Sequence, residues 1–163
     1  MKKVYLGFEL NHKIFGVSVE KVLRVSQIVE ITPIPQAPSS ILGIINFMGQ
    51  VVPVVDLRKR LNLSEKPLSL TDYLIIVQTA HQTVGFTAES IIGLIPAYHE
   101  NDVPLKDILQ NSPVIERVIK ENDRFILIID SEKLLNRQEV QKVQKLVDTQ
   151  HDKIYPALNK ITA

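Results

Sequence analysis

Four histidines, His12, His81, His99 and His151, are the first side chains to weigh for catalysis or metal binding. They are scattered without ligand spacing, and two fall where hairpin turns are predicted, so they read as exposed turn residues. Glu20 and Glu89 sit at matching places after two strand-like runs and suggest paired carboxylates for acid–base work. Each opens a turn, where helix-dipole or capping use is the better reading. Asp56 and Asp130 follow the same logic. The chain has no cysteine, which excludes disulfides, thiolate metal sites and cysteine catalysis. No zinc-protease, nucleophile-elbow, phosphate-loop or calcium-loop pattern is present. The sequence therefore predicts no enzyme, no cofactor and no metal.

Charge points the same way. Net charge is +1 in 163 residues, whereas a nucleic-acid binder carries a basic stripe with interleaved aromatics. The longest basic run, Arg58-Lys59-Arg60, falls in a helical turn after a strand and reads as solvated, so nucleic acid is not an expected partner. Met1-Lys2-Lys3 leads straight into a strand and not into a signal-peptide core. The most apolar stretch, Ile41 to Val55, is broken by Asn46, Gly49, Gln50 and Pro53, so it does not span a bilayer as a helix. A cytoplasmic protein is expected.

The elements that must position any site are mostly strands. Val4, Leu6, Phe8 and Leu10 alternate, as do Phe15, Val17 and Val19 beyond a polar turn, giving a hairpin over 3–19. Ser18 is placed to cap a helical turn through Lys21. A strand follows from Leu23 to Ile31, ending in the proline-rich connector from Thr32 to Pro38. Leu42–Phe47 and Val51–Val55 form a second hairpin, in which Pro53 argues for an edge strand or a bulge. Asp56 caps the turn from Leu57 to Leu61, and 62–71 is a surface linker. Tyr73–Gln78 and Thr83–Ala88 make a third hairpin, followed by a strand over Ile91–Pro96 and a long excursion over 97–113. Val114–Lys120 pairs with Arg124–Asp130. Asn136 with Glu139 forms a capping-box start, and Val140, Val143 and Val147 recur at helical spacing. The last fifteen or so residues carry no period.

The chain also repeats itself. Phe15 to Val25 matches Val84 to Leu94 in character, position by position, and Val54 to Asn62 matches Ile128 to Asn136. The first offset is 69 residues and the second 74, which fits one duplicated unit with a short insertion. Five short strands with one apolar face close readily into a small barrel. The expected fold is all-β: two five-stranded SH3-like barrels related by a pseudo-twofold, with a short C-terminal helix. One domain of two interleaved barrel subdomains is expected over 1–148, and a tail over 149–163.

The segment Ile34-Pro35-Gln36-Ala37-Pro38, then Gly43-Ile44-Ile45-Asn46-Phe47-Met48-Gly49, then Val52-Pro53-Val54-Val55-Asp56-Leu57-Arg58, resembles the central signature of the CheW family. The stretches Phe15-Gly16-Val17 to Val25 and Phe125 to Asp130 with Leu134-Leu135 look like the same family, in order and spacing, over about 3–147. The resemblance implies a non-catalytic adaptor that couples chemoreceptors to the CheA-type histidine kinase. Its expected partners are the receptor's helical signalling tip, held in the groove between barrels, and the kinase's CheW-like regulatory domain. Contact with a membrane is expected only through receptors.

Because the groove follows the pseudo-twofold, it should draw on Val22 and Val25 from one half and Ile91 and Leu94 from the other. Arg24, Gly43 and Met48 complete the expected receptor site, and no residue is assigned to the kinase. Met48 replaces the family's usual arginine, and Arg24 stands where an acidic residue is common. The opposite-charge pair those positions form in the family is gone. This suggests an unusual receptor, or a pilus or gliding pathway. The alternatives are a competing CheW-like protein in a variant array and, from another class, an OB-type nucleic-acid barrel, whose aromatic-studded face is missing.

Overall fold

The computed structural model describes residues 2–98, 102–103 and 112–154. Eleven strands form among them: β1 (Lys3–Leu10), β2 (Lys13–Ser18), β3 (Val22–Gln27), β4 (Ile41–Phe47), β5 (Gln50–Val55), β6 (Tyr73–Gln78), β7 (Thr83–Ala88), β8 (Ser90–Ala97), β9 (Asp102–Val103), β10 (Ile115–Glu121) and β11 (Arg124–Ile129). A one-turn helix, α1 (Leu57–Arg60), follows β5, and α2 (Arg137–Ile154) follows β11. The β1–β2 turn is made by Asn11 and His12 with φ of 51° and 62°, the left-handed pair of a type I′ hairpin that asparagine tolerates well.

The strands form two sheets, ordered β8-β1-β2-β11-β10-β9 and β3-β6-β7-β5-β4. The halves of the sequence are therefore interleaved. The β1–β2 hairpin of the first half lies in the sheet built by β8 to β11, and the β6–β7 hairpin of the second lies in the sheet built by β3 to β5. The seams match: β11 runs parallel to β2 with Ile128 opposite Gly16, and β5 runs parallel to β7 with Val54 opposite Gly85. Val54 and Ile128 are repeat equivalents, as are Gly16 and Gly85. The duplication seen in the sequence is thus a duplication of strand order and register.

Alternation within the exchanged hairpins serves two cores. Leu6, Phe8, Leu10, Phe15 and Val17 from one hairpin meet Ile75, Val77, Val84 and Phe86 from the other in a core shared by both sheets. Phe8 lies 5.8 Å from Phe15 and 5.3 Å from Phe86, ring centre to ring centre. Burying each such side chain stabilises the fold by roughly 2–3 kcal/mol. The opposite faces fill a smaller core within each sheet, Tyr5, Ile95, Ile119, Ile126 and Ile128 in one and Ile45, Val52, Val54, Leu74 and Ile76 in the other. Helix α2 covers the shared core with Val143 and Val147. Its predicted capping box forms: Asn136 Oδ1 accepts from Glu139 N–H at 2.8 Å, and Glu139 Oε1 from Asn136 N–H at 3.1 Å.

Five expectations need correction or refinement. Among the described residues no strand pairing closes either sheet into a barrel, and one sheet carries a sixth strand, the two-residue β9. Pro53 is not on an edge, since β5 lies between β4 and β7; the β7 ladder reaches only Val54 and Val55, so the proline has one neighbour, Ile44. The turn after Ser18 forms, but its side chain makes no capping bond. Arg58 is 4% exposed and not solvated. The helix expected from Val140, Val143 and Val147 runs on to Ile154.

Candidate docking site

β3 and β8, which carry most of the predicted site, are the matching edge strands of the two sheets. Each contains a bulge at the same place in its repeat. Val22 lies opposite Val77 and Arg24 opposite Ile76, leaving Leu23 as the extra residue. Ile91 lies opposite Phe8 and Gly93 opposite Gly7, leaving Ile92. A bulge moves the next residues over by one, so positions three apart share a face. Val25 therefore pairs with Ile75, and Leu94 with Leu6. Their partners Val77, Ile75, Phe8 and Leu6 all belong to the shared core.

Val22, Val25, Ile91 and Leu94 accordingly lie on the face of their edge strands that continues the shared core. Val22 and Ile91 pack partly against that core. Val25 and Leu94 continue the face outward and are 38% and 65% exposed. The bulged residues Leu23 and Ile92 are also exposed, at 50% and 39%. They were not singled out from the sequence, although their equivalence in the repeat was a readable signal.

The other three predicted residues lie elsewhere. Arg24, opposite Ile76, belongs to the other face of β3, and its guanidinium sits 5.7 Å from the centre of the Phe47 ring. Met48 is at the β4–β5 tip, 85% exposed, with φ of 52°. Gly43 is buried at a third bulge, where an added Cβ would meet the Thr32 carbonyl oxygen at 2.3 Å. It is a packing residue and offers no surface. Two clefts of about 440 and 390 Å³ flank the first half of α2, sharing Val140, and none of the seven residues lines either.

The charged residues form ties. The Arg58 Nε–H donates to Asn11 Oδ1 at 2.8 Å, and its Nη2 lies 3.4 Å from Glu89 Oε1. Glu89 also accepts from Lys66 at 2.6 Å and from the Asn11 N–H at 2.6 Å. It caps no helix. The Lys66 hydrogen bond, opposed by burial and helped by Asn11 and Arg58, holds its carboxyl below the usual range. Glu20, its repeat counterpart, is exposed in the turn after β2, and among the described residues no bond joins it to Glu89 or to Glu89's partners. Glu139 is bound by Arg60 and by the Ser40 hydroxyl at 2.7 Å. Burial pushes its carboxyl up, but these bonds and that from Asn136 bring it below the usual range. Both predicted aspartate caps form: Asp56 accepts from Lys59 N–H and Asp130 from Glu132 N–H. The turn residues His12 and His81 are exposed; His99 and the side chain of His151 lie outside the described residues. No group of histidines and carboxylates suited to a metal occurs among the described residues, and no helix there is long and apolar enough to cross a membrane.

Two bulged edge strands, each exposing apolar residues beside a shared core, make a surface suited to holding another protein. The CheW-like domain family matches residues 4–139. The chain belongs to that family. It is 31% identical over 137 residues to the chemotaxis protein CheW of Bacillus subtilis, covering 82% of this chain and 87% of that one. It is 25% identical over 145 residues to the CheW of Treponema pallidum, covering 85% of each. The crystal structure of the scaffolding protein TtCheW from Thermoanaerobacter tengcongensis superposes with a TM-score of 0.73 at 29% identity, over 83% of this chain and 98% of that one. As a CheW-like protein the chain is a non-catalytic scaffold adaptor of the chemotaxis type.

Proposed function

We propose that this CheW-like protein is a cytoplasmic adaptor that couples the signalling tip of chemoreceptors to the regulatory domain of a CheA-type histidine kinase. The observation that carries the reading is the pair of matching bulges, which turn Val22, Val25, Ile91 and Leu94 to the shared-core face of two equivalent edge strands. Such a surface suits helix-in-groove recognition, in which apolar anchors supply affinity and polar neighbours set register. Residues 1–148 act as one CheW-like domain, in which each sheet is wrapped on its own small core.

Amide-shift mapping with a receptor-tip fragment, and separately with the kinase regulatory domain, tests it. The tip should perturb Val22, Val25, Ile91 and Leu94, and the kinase domain a different surface. Leu94→Asp should weaken tip binding about tenfold or more, as loss of a buried apolar anchor does, without altering stability. If neither partner perturbs these strands, the reading is wrong. A second reading, a competitor in a variant array or a component of a pilus or gliding pathway, is favoured by Arg24 and Met48. Kinase activation reconstituted with and without the chain separates the two, since a competitor lowers activity where a coupler raises it.

A further inference from the structure

The internal repeat supplies its own control. β4–β5 and β10–β11 are equivalent hairpins, each closing on a two-residue left-handed turn, Met48-Gly49 in one and Asn122-Asp123 in the other. Asparagine is among the residues that accept this conformation readily, whereas methionine, with φ of 52°, does so poorly. The fold is satisfied by Asn122, with φ of 48°. Nothing in its geometry asks for Met48, whose side chain is 85% exposed. A strained and exposed apolar residue is a pointer to function.

Its neighbours break the symmetry in the same direction. Phe47 corresponds to Glu121, which pairs with Arg124 at 3.8 Å. Arg24 corresponds to Gly93, beside which an added Cβ would meet nothing within 4 Å. One tip therefore carries the Glu121–Arg124 pair with Asn122 and Asp123, and the other presents a methionine, a phenylalanine and an arginine. Arg24 stacks on Phe47 at 5.7 Å, and no carboxylate among the described residues lies within ion-pairing distance of it. The guanidinium lies against the Phe47 ring and, among the described residues, has no counter-charge.

We infer that Arg24, Phe47 and Met48 form a docking patch for an acidic position on the partner helix: a carboxylate seated against Arg24, with an aliphatic neighbour against Met48. This rests on the receptor reading and adds the chemistry that the receptor must present. Because β3 is an edge strand, one partner reaches both Val25 on one face and Arg24 on the other.

Titration calorimetry of the full chain with a helical-hairpin receptor-tip fragment is the test. Arg24→Glu should weaken binding about tenfold in 50 mM salt and by about threefold in 500 mM, because the contact is exposed and screened. Met48→Asn should weaken it about threefold to fivefold with an unchanged or higher unfolding midpoint, and Asn122→Met should have no effect on binding. Among tip fragments with single acidic residues changed to lysine, one should restore binding to Arg24→Glu. If Arg24→Glu and Met48→Asn bind as the parent does while Leu94→Asp does not, the patch is refuted and the receptor reading stands. If all three bind as the parent does, or the parent does not bind, both fall.

Discussion

Arg58 and Glu132 occupy equivalent positions two residues after an aspartate cap, and with opposite charge they fasten equivalent hairpin turns. The Arg58 Nε–H donates to Asn11 Oδ1 at 2.8 Å, and Glu132 accepts from the Ala80 N–H at 3.0 Å. Asn11 and Ala80 are themselves repeat equivalents. Each tie runs from the end of one sheet to the exchanged hairpin of the other. The duplicated unit has kept the joint and reversed its polarity.

The Arg58 joint depends on Glu89. Removing that carboxylate leaves a guanidinium that is 4% exposed without its counter-charge. Glu89→Ala should destabilise the protein by about 2–4 kcal/mol, read from urea unfolding midpoints. Glu20→Ala, at the matching and exposed position, should stay within about 0.5 kcal/mol.

Acid should weaken the fold through Glu139 and Glu89. Both carboxyls are held below their unfolded values, so the unfolded chain takes up the protons first. The stabilisation is complete above the unfolded carboxyl range, about pH 5, and is lost as the pH falls through the lower folded values. Glu139→Gln should cost about 2 kcal/mol at pH 7. It should also flatten the decline of stability below pH 5, measured by denaturant unfolding across that range.

Gly43 gives a purely steric test. Gly43→Ala drives a Cβ against the Thr32 carbonyl oxygen, which is backbone and yields little. A loss of about 2–3 kcal/mol is expected, seen as a lower thermal midpoint. Receptor-tip affinity of the folded fraction should be unchanged, which separates Gly43 from the exposed residues around it.

Period-two alternation made the four main hairpins legible, and the matched runs at Phe15 and Val84 revealed the repeat. Interleaved units were expected, but which hairpins exchange was not legible, because the swap of β1–β2 for β6–β7 is a long-range choice that leaves each hairpin's local pattern unchanged. The bulges at Leu23 and Ile92 were hidden for a related reason. Spacing three in a strand-like run carries no local mark until the partner strand fixes the register. Val22, Val25, Ile91 and Leu94 were nevertheless chosen through their equivalence, and the bulges explain how residues three apart share a face. Arg58 was misread because a basic run looks solvated unless its distant partners Asn11 and Glu89 are known. For Pro53 only the edge alternative failed, because a proline is excluded only where a second ladder needs its N–H, and that ladder begins one residue later. The bulge alternative has a counterpart on β4, between Ile41 and Gly43.

The parallel seam between β2 and β11 also sets an order of events. Phe15 pairs with Leu127, so roughly 110 residues must be synthesised between the two, about 6–20 s at ordinary elongation rates of about 5–20 residues per second. Throughout that interval the β2 edge stays open, and until the second hairpin emerges with Phe86 the rings of Phe8 and Phe15 are uncovered as well. The second hairpin has no such wait, since β5 precedes β7. A protein whose two halves are nearly interchangeable in space is thus strongly unequal in time, with its early half exposed to chaperones and to aggregation until its late half arrives.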